Sequence, residues 1–171
     1  MMLHFAQAAS IGVSYSHADT VQRAEQTARR LYHRVCTLGW LGQMWAALTR
    51  KPRHLLNLAE IEANYPAGNR YSAGIQAVPL CQIRGSQGRC QDFDLNFYPL
   101  HDHLKSRWLQ VATAWRLGIA LPPVELVQVD DIYYVRDGHH RISVARALGQ
   151  MEIYAEVRVW QSCRAEPEKE K

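Results

Sequence analysis

The sequence predicts an α/β fold: a compact mixed sheet with flanking helices, preceded by a mostly helical basic arm. Three observations carry that expectation. Two β-rich runs, residues 124–129 and 132–135, are separated only by Asp130-Asp131, which reads as a hairpin with a tight turn. Leu104, Trp108, Val111 and Trp115 recur at spacings of four, three and four, the period of an amphipathic helix. Residues 152–160 alternate Ile153, Ala155, Val157 and Val159 with Tyr154, Glu156, Arg158 and Trp160, as a strand with one buried face does.

At 171 residues, 47% hydrophobic and 21% charged, the chain has the size of one domain plus a modest extension. The net charge of +4 permits anionic partners without requiring them. Its distribution says more. Residues 19–53 hold Arg23, Arg29, Arg30, Arg34, Arg50, Lys51 and Arg53 against Asp19 and Glu25, a local +5. No apolar run reaches the roughly 18 residues of a membrane span, and the first residues lack a basic leader, so a soluble, cytoplasmic protein with no transmembrane segment is expected. Cys36, Cys81, Cys90 and Cys163 are too scattered for a metal knuckle or a disulfide framework.

Within the basic stretch, Val21, Ala24, Ala28, Leu31, Val35 and Leu38 recur every three or four residues and predict an amphipathic helix with Asp19 as N-cap. Gly39 interrupts the pattern before Trp40, Leu41, Met44, Trp45 and Leu48, which predicts one kinked helix or two short ones ending at Lys51-Pro52. The apolar stripe docks on the rest of the domain or on a second copy, giving a homodimer; the basic face is suited to nucleic acid or an acidic lipid surface. A short helical pattern (Leu55, Leu56, Leu58, Ile61) gives way to Pro66, Gly68, Asn69 and Gly74, all turn formers. The arm and its linker are therefore assigned to residues 1–77, the α/β domain to 78–160 and a disordered charged tail to 161–171.

The domain begins with a strand over 78–83, followed by the polar loop Arg84-Gly85-Ser86-Gln87-Gly88-Arg89. A longer loop carries Asp92, Asp94, His101, Asp102 and His103, groups suited to binding a divalent ion or to acid–base work, although a solvated loop is the plainer reading. The helix over 102–117 stops at Gly118, and its Trp108 and Trp115 read as core. Glu125 lies within a strand and fits either face. The strand over 132–135 delivers Arg136-Asp137-Gly138-His139-His140-Arg141 directly into the apolar helical segment 142–148, which stops at Gly149. A polar hexapeptide at a helix start has chemical content: free N–H groups and the helix dipole favour an anion, Gly138 allows close backbone approach, and Arg141 is suited to gripping phosphate bidentately. Two adjacent histidines without a third partner make a poor metal site.

Val78-Pro79-Leu80 with Ile83, a helix stopping at Gly118, then Pro122-Pro123-Val124, then residues 134–149 follow an order that resembles the N-terminal domain of the ParB and sulfiredoxin superfamily, over roughly half the chain. The box separates its branches. Gly138 and Arg141 match the G-E-R-R of partitioning ParB proteins, with His139 and His140 in place of the middle residues. Gly138, His140 and Arg141 match the G-C-H-R of sulfiredoxins, but His139 stands where the catalytic cysteine belongs, which excludes sulfinic-acid repair. The form Asp137-Gly138-His139-His140-Arg141 is similar to the box of free-serine kinases, where it lies against nucleotide phosphates.

That resemblance implies a nucleoside phosphate with Mg2+ as cofactor, bound by Gly138, His139, His140 and Arg141; the stretch 84–89 reads either as an ordinary surface loop or as a second phosphate-facing loop with Ser86 and Arg89 as contacts. The resemblance also implies Asp137 as magnesium ligand and Asp137, His139 and His140 as candidate catalytic groups. The activity it points to is nucleotide hydrolysis or phosphoryl transfer to a small molecule. The alternative is a ParB-like DNA-binding or nuclease protein using the basic N-terminal helix. The helix-turn-helix that follows this domain in partitioning proteins has no counterpart in the few residues after Trp160.

Overall fold

The computed structural model describes residues 16–50, 54–64 and 70–161. Helix α1 (His17–Thr49) is capped by Ser16, whose Oγ accepts the Asp19 N–H at 3.2 Å; Asp19 itself sits in the first turn, where a carboxylate opposes the positive helix end. The helix runs unbroken through Gly39. An added Cβ at that position would lie 3.1 Å from Tyr98 Cβ, so the glycine marks a close contact with a neighbouring loop, not a kink. Arg50 takes the left-handed conformation (φ 53°) and ends the helix ahead of Pro52.

The sheet holds six strands in the order β1-β3-β5-β4-β6-β2. These are β1 (Leu56–Asn57), β2 (Arg70–Pro79), β3 (Ile83–Ser86), β4 (Val124–Val129), β5 (Ile132–Asp137) and β6 (Glu152–Trp160). β4 and β5 form the expected antiparallel hairpin, with Asp130 at φ 52° in the turn, and β6 pairs parallel to β4. Two features depart from expectation. The sheet takes in β1 and β2 from the stretch assigned to arm and linker. The single strand expected over 78–83 is the end of β2, a 3₁₀ turn (Leu80–Gln82) and the start of β3. The tail residues 162–171 lie outside the described residues.

Burial explains the layers. Val124, Leu126, Val135, Ala155 and Val157 pack on one sheet face with Ile142 and Ala145 of helix α4 (His139–Ala147). Leu58 of helix α2 (Leu58–Asn64) covers Val127, Val129 and Tyr134 on the other. Helix α3 (Lys105–Arg116) joins α1 to α4: Trp108 is fully buried among Ala28, Tyr32, Val35 and Val144, and its Nε1 donates to Ser143 Oγ at 2.8 Å. Trp115, expected in the core, is 41% exposed at the end of α3, because the helix stops beyond the edge of the packed face. Glu125 is half exposed and faces Arg136 at 3.8 Å. Among the described residues, no helix is long and apolar enough to cross a membrane.

Candidate anion-binding site

The β5–α4 junction forms as the hexapeptide implies. Asp137 ends β5, Gly138 turns the chain at φ 97°, ψ 20°, and α4 begins at His139. An added Cβ on Gly138 would lie 2.5 Å from Val124 Cγ1 and 3.1 Å from Arg141 Nε, so this position admits only glycine. The junction forms part of the wall of a cleft of about 470 Å³ that Gln87, Arg89, Arg107, Leu121, Pro122, Arg136 and Arg141 also line. Four guanidinium groups thus meet one carboxylate, Asp137, around the N-terminus of a helix.

The individual groups divide into those that build the cleft and those that face into it. Arg141 builds it. Its Nη1 donates to the carbonyls of Pro122 and Pro123 at 2.6 and 2.7 Å and its Nη2 to Asp137 Oδ2, so the guanidinium expected to grip phosphate is engaged by protein on both nitrogens. Ser86 is not in a surface loop but ends β3, fully buried, with Oγ 2.7 Å from His139 Nε2 and accepting the Arg89 N–H at 3.2 Å. His139 is 5% exposed and its ring stacks on Phe93, with centroids 5.9 Å apart. His140 is half-buried, edge-on to the same Phe93, and its Nδ1 has no hydrogen-bond partner among the described residues.

Burial first, and then the Arg89 charge, pushes both imidazoles down to about 4, so both are neutral at pH 7. The positive charge of the cleft at that pH is therefore carried by arginine. Arg89 lies 3.9 Å from Asp92 and Arg136 3.8 Å from Glu125, both loose pairs between part-exposed groups. Arg107 reaches Gln110 at 3.4 Å and, among the described residues, has no carboxylate within ion-pair distance.

Arg107, Arg136 and Gln87 were not among the expected site residues. Arg136 adjoins the box and was legible there as a further cation; Arg107 reaches the cleft only through the packing of α3 beside α4, which spacing does not reveal. The acidic loop is mostly structural. Asp94 is buried, and its Oδ1 accepts the N–H groups of Asn96 and Tyr98 at 2.9 and 2.8 Å, which lets Phe97 adopt φ 59° and enter the core. Arg146 ties the same loop down, donating to the carbonyls of Leu95 and Ile83 at 3.0 and 2.8 Å and to that of Leu80. Asp92 lies 3.9 Å from His103 Nε2. Asp102 and His103 fall in the 3₁₀ turn ahead of α3, and the ring of His101 stacks on that of His103. Among the described residues, no three His, Cys, Asp or Glu side chains come together as metal ligands. Asp137, the one carboxylate of the cleft, is engaged by Arg141, so the donor set does not fit a resident magnesium ion.

The histidine environment makes a pH prediction. Both folded-state pKa values lie below the unfolded value of 6.5, so the unfolded chain binds more protons than the native state between pH 6.5 and 4. Stability is fully present above 6.5 and declines as pH falls through that window. For His139 the loss is on the order of 3 kcal/mol at 1.36 kcal/mol per pH unit. Urea midpoints at pH 7, 5.5 and 4.5 are expected to fall less steeply in His139→Gln than in the wild type; parallel curves would contradict a buried neutral His139.

No protein-family model and no curated protein matches the chain. Among solved structures, the crystal structure of sulfiredoxin from Arabidopsis thaliana is similar over 51% of this chain and 86% of its own, with 23% sequence identity and a TM-score of 0.39. A likeness at that level carries no argument about the site.

Proposed function

We propose that the cleft at the start of α4 binds a nucleoside phosphate. The observation that carries this reading is the convergence of Arg89, Arg107 and Arg136 on a helix N-terminus in a cleft lined by a single carboxylate, Asp137, which Arg141 engages. Arg141 and Gly138 act as positioning residues for that convergence. His140 offers a neutral ring nitrogen. Magnesium enters with the phosphates as part of the ligand, because Asp137, the one carboxylate lining the cleft, is engaged by Arg141. Hydrolysis and phosphoryl transfer are the less supported extension, since imidazoles with pKa values near 4 are poorly matched to proton transfer at pH 7. DNA binding through α1 is a weaker reading, because Trp40, Leu41, Met44, Trp45 and Leu48 make the exposed face of its second half apolar.

The test is thermal unfolding with ATP, ADP, CTP and GTP, each with Mg2+ and with a chelator. At 100 times its dissociation constant, a ligand is expected to stabilise the native state by about 2.7 kcal/mol, a rise in Tm of roughly 5–10 °C. Arg107→Ala removes an exposed side chain without a buried contact, so its own Tm is expected to match the wild type while the nucleotide shift shrinks. A shift that survives Arg107→Ala and Arg136→Ala unchanged, or no shift with any nucleotide, would overturn the proposal.

A further inference from the structure

The second half of α1 exposes an apolar surface that neither the fold nor the cleft uses. Trp45 is 64% and Leu48 77% exposed, with Trp40, Leu41 and Met44 each at least half exposed beside them. At 3.6 residues per turn, Arg30, Arg34, Leu41, Trp45 and Leu48 lie within an arc of about 60°. That stripe is opposite Ala28, Tyr32 and Val35, which dock the helix. The outward line of α1 is therefore basic in its middle and apolar toward its end.

Charge decides what this face fits. Between Glu25 and Glu60 the sequence has no acidic residue, whereas it holds Arg29, Arg30, Arg34, Arg50, Lys51 and Arg53. A second copy packed patch on patch would bring uncompensated cations together, at a cost that no carboxylate of this stretch offsets. A nucleic-acid backbone answers the arginines but leaves Leu41, Met44 and Leu48 facing phosphate and sugar. An anionic bilayer surface answers both: phosphate headgroups meet the arginines, and the interfacial layer takes up tryptophan, leucine and methionine.

We infer that α1 docks the protein on the surface of anionic membranes, with Trp40, Leu41, Met44, Trp45 and Leu48 entering the interface and Arg30 and Arg34 held at the headgroups. The attachment is peripheral. The full chain is mixed with vesicles of phosphatidylcholine alone, or of equal parts phosphatidylcholine and phosphatidylglycerol, and sedimented. Sedimentation with the anionic vesicles, weakened by salt and absent with the neutral ones, is the expected result. Trp45→Ala/Leu48→Ala is expected to lower the vesicle partition about tenfold or more while its thermal unfolding stays at the wild-type temperature, since both side chains are mostly exposed.

Three results would overturn the inference. One is the absence of sedimentation with anionic vesicles. Another is a partition that the double substitution leaves unchanged. The third is a dimer in light scattering, or a complex with duplex DNA, that the same substitution disrupts while vesicle binding is missing.

Discussion

Gly138→Ala is expected to lower the unfolding free energy by about 2–5 kcal/mol, the sum of a left-handed backbone cost of about 1–2 and an overpacking cost of about 1–3. The methyl group would lie 2.5 Å from Val124 Cγ1 and 2.8 Å from Val124 Cβ. Neither of its neighbours has room to yield. Val124 is fully buried at the start of β4, and Arg141 is fixed by Pro122, Pro123 and Asp137. Gly118→Ala is the control: φ there is 70°, yet nothing lies within 4 Å of the added Cβ, so only the backbone cost of about 1–2 kcal/mol applies. At roughly 2–4 °C per kcal/mol the two variants separate by several degrees in Tm. Equal losses would show that the Val124 contact imposes nothing. The same substitution is expected to distort the α4 start and with it the nucleotide shift.

Trp108→Ala is expected to cost about 3–5 kcal/mol, a large share of the 5–15 typical of a domain. Trp108 fills the junction of α1, α3 and α4, with the Tyr32 ring edge-on at 5.3 Å and its indole N–H spent on Ser143. Removing it leaves a cavity and an unsatisfied buried hydroxyl. The damage is expected to concentrate on α1, whose docking depends on this cluster, so trypsin cleavage at Arg29, Arg30 or Arg34 should accelerate more than global unfolding does. Trp108→Phe keeps most of the volume and loses the hydrogen bond, for about 1–2 kcal/mol. Denaturant midpoints and a cleavage time course measure both. A Trp108→Ala protein as stable and as protease-resistant as the wild type would contradict the three-helix junction.

Elements that bury one regular face were legible from their residues. The spacing of Leu104, Trp108 and Val111 placed α3, the alternation from Ile153 to Val159 placed β6, and the Asp130-Asp131 pair placed the hairpin. β2 was missed because it is an edge strand with Val78 as its one buried residue. Gly74 and the register shift beside Ser72 further break its alternation. β1 is too short for any periodicity.

At the candidate site, the box between β5 and α4 was legible; the structural reason for glycine at 138 was not, since it is a left-handed turn packed against Val124 and Arg141. Nor was the division of labour within the box. Arg141 is taken up by carbonyls of a loop nearly twenty residues upstream, and Ser86 lies under His139 only because β3 pairs with β5. Both are consequences of tertiary pairing that local chemistry does not encode.

The most direct test of the anion-binding cleft is a calorimetric titration of ATP into the wild type and into Arg107→Ala/Arg136→Ala, at low and at physiological salt. One saturable site is expected, weakened by salt and reduced about a hundredfold by the double substitution, at about 1.4 kcal/mol per decade for each lost charge-assisted contact. Equal affinity in the two proteins, or no binding of ATP to the wild type at low salt, would contradict it.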